Sequence, residues 1–395
     1  MKELSARAAA VHESSTLAVD SLAKKLKAEG KPVVSFGTGE PDFDTPAHIK
    51  AAAIKAIEEG KTKYTPAAGL PALRQAIADR LLADTGVAYE SGQIVVASGA
   101  KHSIFVALMC LLNPGDEVIV PAPYWVTYTE SVAMAGGVPV VVNCEEKAGF
   151  KMTAAQLEAA ITPKTKLLIL NNPSNPTGMF YNKEELEALC AVCVKHDLYI
   201  LSDEIYFSLL YDGRVFTSVA ALSEEIKERT IIVNGVSKSY AMTGWRIGYT
   251  ASNKTLAKLM TNYLSHSTSA PSTISQWAAI EALTGDQSSI RAMHDEFERR
   301  RNYIVERMNQ IEGVSCIKPE GAFYVMMNVE KLLGRTIGGK LIQSGDDFAV
   351  AFLEQQNVAV VPCSGFGAPN FVRWTYAASM ENIREGLDRL EKMLA

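Results

Sequence analysis

Ser237-Lys238-Ser239-Tyr240-Ala241-Met242-Thr243-Gly244-Trp245-Arg246-Ile247-Gly248 opens just after one β-branched run, Ile231–Val233, and leads into another, Ile247–Thr250. The stretch reads as strand, small-residue turn, strand, with a lysine past the first strand and an arginine eight positions on. A lysine in a cleft lined by Trp and Met gives up its proton more readily than a solvated one, because burial disfavours the charged form. The resulting neutral amine suits Schiff-base chemistry. Arg246 adds a planar fork of donors that fits a phosphate. By itself Lys238 is one lysine among many, and its meaning depends on what the chain brings to the same end of a sheet.

Outward from that stretch the pattern is strand, helix, strand in repetition. Strands are predicted at Ile94–Val96, Val118–Val120, Val138–Val142, Leu167–Leu170, Tyr199–Leu201, Ile231–Val233 and Ile247–Thr250. Helical periodicity covers Lys101–Leu112, Ala154–Ile161 and Lys183–His196, the last opened by Asn182 with Glu185 three residues on, a capping-box variant. Such alternation predicts a mostly parallel sheet covered on both faces. Ligands in that architecture bind beyond the carboxyl ends of the strands. The chain ends differ: residues 1–30 are helix-like, Pro32 to Pro46 is irregular, and a charged helix at His294–Met308 precedes a mixed, glycine-containing region. The predicted class is α/β, with a large domain over 45–285 and a smaller α+β domain built from 1–44 and 286–395.

The chain has 395 residues, which at about 150 per domain allows two or three domains. Lys+Arg 39 against Asp+Glu 44 gives a net charge of −5, the wrong sign for a protein held by nucleic-acid phosphates. Hydrophobic residues at 48% and charged ones at 21% exclude wholesale disorder. The longest apolar run, Ile104–Leu112, is far short of the ~18 residues of a membrane span. Near the N-terminus stand Glu3, Arg7, His12 and Glu13 in place of a signal-peptide core. A cytoplasmic protein without membrane or nucleic-acid partners is expected. Six cysteines are too sparse for a disulfide framework, and the C-x-x-C of Cys190 and Cys193 lies inside a helical stretch, where it reads as packing. No metal site is expected.

Four further motifs carry candidate chemistry. Ser98-Gly99-Ala100-Lys101, between a strand and a helix, offers free backbone N–H groups and the positive helix end to a phosphate. Its spacing is not that of a Walker A loop. Asn171-Asn172-Pro173-Ser174-Asn175-Pro176-Thr177-Gly178 is an elaborate turn able to hold an Asn amide at a site. Leu201-Ser202-Asp203-Glu204-Ile205-Tyr206 puts an acid at a strand end, where it can face a cation or cap a helix, and a phenol close behind. Phe371-Val372-Arg373-Trp374-Thr375 interrupts an apolar strand with an arginine that needs an anionic partner if buried, structural or substrate.

Taken together, these motifs resemble the pyridoxal-phosphate-dependent aminotransferases of fold type I. The resemblance runs from Gly39-Glu40-Pro41-Asp42-Phe43 to Val372-Arg373, and it is nearest to the bacterial aspartate/prephenate aminotransferase branch through Lys63-Tyr64, Pro123-Tyr124-Trp125, Asn175-Pro176-Thr177-Gly178 and Ser237-Lys238. It implies a large domain with a mostly parallel seven-stranded sheet beside the smaller domain, pyridoxal 5'-phosphate as cofactor, and a homodimer with shared active sites. By the same resemblance Lys238 carries the cofactor as a Schiff base and later moves the proton. Asp203 pairs with the pyridine nitrogen, Tyr206 and Asn175 bond the ring oxygen, and Trp125 stacks on the ring. The Gly99, Ala100 and Lys101 backbone, Ser237 and Arg246 surround the phosphate, with Tyr64 coming from the neighbouring subunit. Arg373 grips the substrate α-carboxylate against Gly39, while Lys101 and an N-terminal serine, Ser14 or Ser15, read an acidic side chain.

The implied reaction is transfer of an amino group from an L-amino acid, L-aspartate first, to 2-oxoglutarate by a ping-pong route. Departures from the family pattern bear on substrate: His12 stands where relatives carry Lys or Arg, Gly235 replaces a phosphate-contacting serine of the wider superfamily, and Trp374 is expected to shape the pocket beside Arg373. Transamination of aromatic or neutral amino acids or of prephenate is the alternative. After it come a C–S lyase on the same scaffold and, from another class, a cofactor-sensing regulatory module. The Gly39 motif begins too early to leave room for the DNA-binding domain such a regulator carries.

Overall fold

The computed structural model describes residues 3–11 and 15–395, leaving aside the side chains of residues 6, 7 and 15–20. Its centre is a seven-stranded sheet in the order Ile94–Ala97, Gly248–Ala251, Thr230–Gly235, Tyr199–Asp203, Thr165–Asn171, Glu117–Ala122 and Val138–Asn143. All pairings are parallel except those of Gly248–Ala251, which runs antiparallel to both neighbours. Parallel pairing needs a crossover of a dozen or more residues, usually through a long helix. Only residues 236–247 join this strand to the one before it, and they fold as a turn with a single short 3₁₀ segment at Thr243–Trp245. The chain therefore doubles back, and the connection stays at the edge where the neighbouring strands end.

Alternation along the strands explains how the sheet is covered on both faces. Val118, Val120, Leu167, Ile169, Leu201, Ile231 and Val233 share one core cluster with the helix Ala100–Leu111, whereas Ile119, Leu168, Leu170 and Ile200 join another with the helix Lys183–Lys195. In that second cluster Cys190 and Cys193 are fully buried, so the C-x-x-C packs a helix onto the sheet as expected. The same helix opens with the predicted capping box: the Glu185 N–H donates to Asn182 Oδ1 at 2.9 Å and the Asn182 N–H donates to Glu185 Oε2 at 2.9 Å.

The two chain ends build a second layer. Tyr324–Asn328, Phe371–Thr375 and Val361–Pro362 form an antiparallel sheet, and Val34–Ser35 pairs in parallel with Val358–Ala359. Helices Ser288–Met308, Gly345–Gln356 and Met380–Leu394 cover them. The first of these starts six residues before the predicted His294, because the sequence before the charged stretch lacks a strong start signal: Gln287 makes no side-chain cap. Alternation along Phe371–Thr375 corrects one expectation. Trp374 is fully buried against Phe36 and Phe352, at 4.6 and 5.8 Å between ring centres, while its neighbour Arg373 lines the central cavity. Successive strand residues face opposite sides, so Trp374 fills the core of this layer and does not shape the pocket. Among the described residues no helix is long and apolar enough to cross a membrane.

Candidate active site

Three adjacent strands of the central sheet end side by side, with Asn171 opposite Asp203 and Asp203 opposite Val233. The loops leaving these ends carry Asn175, Asp203 and Tyr206, and Ser237 and Lys238. They converge on a cavity of about 320 Å³ whose lining also includes Gly39, Ala100, Lys101, Trp125, Arg246 and Arg373. Among the described residues proposed for the site from the sequence, Gly99 and Tyr64 do not line it. Gly99 lies at its edge. Tyr64 is fully exposed on its own chain. Ser15 begins a helix, but its side chain lies outside the described residues, as do Ser14 and His12.

Each group is held by its surroundings. The turn after Thr165–Asn171 is clamped at both ends: Asn172 Nδ2 donates to the Tyr181 carbonyl at 3.1 Å, and the Asn175 N–H donates to Asn171 Oδ1 at 2.7 Å. Asn171 Nδ2 in turn donates to the Asp203 carbonyl at 3.0 Å, fixing one loop to the next strand. Asp203, 2% exposed, accepts from the Tyr128 hydroxyl at 2.7 Å and from the Ile205 N–H at 3.2 Å. Burial outweighs these bonds and pushes its carboxyl up to about 6, so it gains from a cationic partner. Lys238 donates to the Gly39 carbonyl. Loss of hydration lowers its ammonium to about 8; Arg373 and Arg246 act the same way, against Glu40 and Asp203.

At one end of the cavity the helix Ala100–Leu111 begins with Gly99 as its cap and no capping side chain. Its first amide groups therefore remain available, as at any helix start without a cap. Gly99 has φ +89°, and a Cβ there would run into the Arg246 guanidinium. The missing side chain is what lets the arginine lie over the helix start, where Arg246 Nη1 donates to the Thr243 carbonyl at 2.8 Å. Lys101 reaches over the Trp125 ring at 4.8 Å, and burial followed by Arg246 lowers its ammonium below the usual range. Gly235 has its own packing reason. A Cβ there would sit 2.7 Å from the Ile247 carbonyl and 3.0 Å from the Gly248 Cα, so glycine permits the close antiparallel return that forms the site.

At the other end stands Arg373, 2% exposed. It donates through Nη1 to Asn175 Oδ1 and through Nη2 to the Gly37 carbonyl, both at 2.9 Å, and its Nε has no partner among the described residues. Among the described residues no carboxylate pairs with it, although a buried arginine calls for an anion. Its surroundings thus leave the cation to be satisfied from the cavity.

Sequence reasoning missed Tyr128, Tyr324, Thr243 and Glu40 as lining residues. Tyr128 lies one helical turn beyond Trp125, and Tyr324 opens the strand that pairs with the Arg373 strand. Those placements were the available signals, but without the packing they do not separate a site tyrosine from a core one.

The sequence model of the family described as "Aminotransferase class I and II" matches residues 31–390. The chain belongs to that family. It is 49% identical over 392 residues to the aspartate aminotransferase of Geobacillus stearothermophilus, covering 99% of each chain. It is also 46% identical to the aspartate/prephenate aminotransferase of Cereibacter sphaeroides, covering 100% of this chain and 99% of that one. Among solved structures, the aspartate aminotransferase of Rhizobium meliloti superposes with a TM-score of 0.96 at 43% identity, covering 100% of this chain and 99% of that one. The Thermus thermophilus aspartate aminotransferase with maleate superposes at 0.94 and 42%, covering all of both. The likeness to the family thus extends over the sheet, the terminal layer and every loop that lines the cavity.

Proposed function

We propose that this chain is a pyridoxal-phosphate-dependent aminotransferase that moves the amino group of L-aspartate to 2-oxoglutarate in two half-reactions. One observation carries the reading: an unpaired buried arginine, a lysine lowered to about 8 and a buried carboxylate converge beside an open helix start. That donor set fits the cofactor. The Ala100 and Lys101 amides, Ser237 and Arg246 would hold a phosphate; Asp203 would hold a pyridinium proton; Asn175 and Tyr206 would bond the ring oxygen; Trp125 would cover the ring.

Bound pyridoxal phosphate supplies an electron sink for the charge left at Cα when its proton departs. The rest is the work of the chain. Arg373 fixes the α-carboxylate with two parallel donors, in place of the single bonds it now makes to Asn175 and Gly37. Gly39, which has no side chain, leaves room for the substrate backbone. Lys238, as a neutral amine, would be positioned to take the proton from the substrate Cα and to hold it beside the site, worth ~10²–10⁴ in rate. Asp203 would hold a proton on the ring nitrogen. Lys101 meets the distal carboxylate of aspartate, which favours an acidic substrate over an aromatic one, and the names of the relatives support aspartate. Ser15 is proposed beside it.

We further propose a division into 45–285 and 1–44 with 286–395, supported by a core cluster in which Val34 and Phe36 join residues from Met293 to Leu390, with Ile205, Tyr206, Leu209 and Tyr211 packing against them from the large segment. A cytoplasmic homodimer with shared sites accompanies this reading. Tyr64, exposed on its own chain and outside its own cavity, supports it as the residue a neighbouring subunit contributes.

The test is a half-reaction on the purified, cofactor-loaded protein, following loss of the cofactor absorbance as single amino acids are added. Aspartate and glutamate convert it fastest, and 2-oxoglutarate restores it. Prephenate in place of 2-oxoglutarate tests the second acceptor named for the Cereibacter sphaeroides relative. If an aromatic donor works and aspartate does not, Lys101 loses its role while Lys238 keeps its own. If no absorbance band forms with added pyridoxal phosphate, the reading fails.

A further inference from the structure

Tyr324 lines the cavity and is 1% exposed, yet no role in the reaction as described so far falls to it. Its hydroxyl lies 2.9 Å from the Tyr206 hydroxyl, and the two rings meet edge to face at 5.7 Å. The same hydroxyl lies 2.8 Å from where a Cβ on Gly39 would be, so the Gly39 backbone closes over it. The face of the ring stands 4.5 Å from the guanidinium carbon of Arg373. One side chain thus touches the phenol aimed at the cofactor, the glycine beside the substrate and the arginine that binds carboxylate.

Hydrogen counting sets the direction of the tyrosine pair. A phenol has one proton to give. If Tyr206 donated to Tyr324, it would have none left for a ring oxygen; if Tyr324 donates, Tyr206 accepts and keeps its proton for the cofactor. Accepting a bond also makes Tyr206 the stronger donor, because successive hydrogen bonds polarise one another. On the other face, a guanidinium over a tyrosine ring is attracted by the ring's quadrupole, which holds its plane without consuming any N–H.

We propose that Tyr324 is a positioning residue for both ends of the site: its hydroxyl donates to Tyr206, reserving that proton for the cofactor ring oxygen, and its ring supports the Arg373 guanidinium. The proposal rests on the cofactor reading above. It separates into two functions that different substitutions remove. Tyr324→Phe deletes the donated bond and keeps the ring, while Tyr324→Leu deletes both.

The experiment titrates the visible absorbance of cofactor-loaded wild type and both variants with pH, and measures KM and kcat for the amino donor. With its donor gone, Tyr206 bonds the ring oxygen more weakly. The oxygen keeps more negative charge, and the neighbouring nitrogen holds its proton longer. Tyr324→Phe is expected to raise the absorbance midpoint by ~0.5 pH unit while KM stays within about twofold of wild type. Tyr324→Leu is expected to raise the midpoint similarly and KM by roughly threefold or more. An unchanged or lowered midpoint in Tyr324→Phe overturns the donor role, and equal KM in the two variants overturns the ring's role. A wild-type protein without any such band overturns the cofactor reading instead.

Discussion

Two buried ionisable groups of this chain have consequences at the scale of single residues. Lys238 is lowered to about 8, first by loss of hydration, so the neutral amine becomes the main form as pH rises through that value. Uptake of pyridoxal phosphate by the cofactor-free protein is therefore expected to accelerate with pH and level off above about 8, read as growth of the absorbance band; Lys238→Ala shows no such band. Glu204, next to Asp203 in sequence, is 1% exposed, accepts from the Ser202 and Ser218 hydroxyls at 2.9 and 2.8 Å, and has one oxygen without a partner among the described residues. Burial raises its carboxyl from 4.5 to about 7. A raised carboxyl means that the folded chain binds more protons than the unfolded one between those values, so stability is lost as pH rises through the interval. The loss is roughly 3 kcal/mol at full ionisation. Urea unfolding of cofactor-free Glu204→Gln is expected to show a smaller decline from pH 5 to pH 8 than wild type; equal declines would remove Glu204 as the cause.

At the scale of elements, the helix Ala100–Leu111 and the return at Gly235–Gly248 make the end of the cavity where Arg246 lies. Gly99 is the point where they meet, with a left-handed φ and no space for a Cβ under Arg246. Gly99→Ala is expected to displace Arg246 and to weaken pyridoxal-phosphate binding about tenfold or more, the loss of roughly one charge-assisted contact. Equilibrium binding measured with the variant and with pyridoxal, which lacks the phosphate, checks this: the penalty should largely vanish for pyridoxal. Much at this scale was legible beforehand. All seven predicted sheet strands exist, because β-branched runs between turn residues leave little choice of conformation, and the capping box at Asn182 marks its helix start. Helix starts without such a signal, as at Ser288, were placed late.

At the scale of the whole molecule, the site draws on both layers: Lys238, Asp203 and Asn175 from loops of the central sheet, and Arg373 and Tyr324 from the terminal layer. Gly39 and its neighbours bridge them, since the Gly37 carbonyl accepts from Arg373 and the Gly39 carbonyl from Lys238. Tyr64 remains exposed outside this arrangement. Sedimentation is expected to give twice the mass of one chain, and Tyr64→Ala to weaken cofactor binding without changing that mass; a fully active monomer would refute the shared site.

The sequence by itself determined the strand ends and which residues stand there, because hydrophobic periodicity and turn residues act over a few positions and mark where each strand stops. Lys238, Asp203, Asn175 and Arg246 were readable in this way. Only the tertiary structure decided that Arg373 faces the cavity while Trp374 fills a core, that Asp203 is paired with Tyr128, and that Tyr324 spans Tyr206 and Arg373. Those outcomes depend on which face of a strand is covered and on side chains far apart in the chain meeting across two layers, and no local pattern encodes such a meeting.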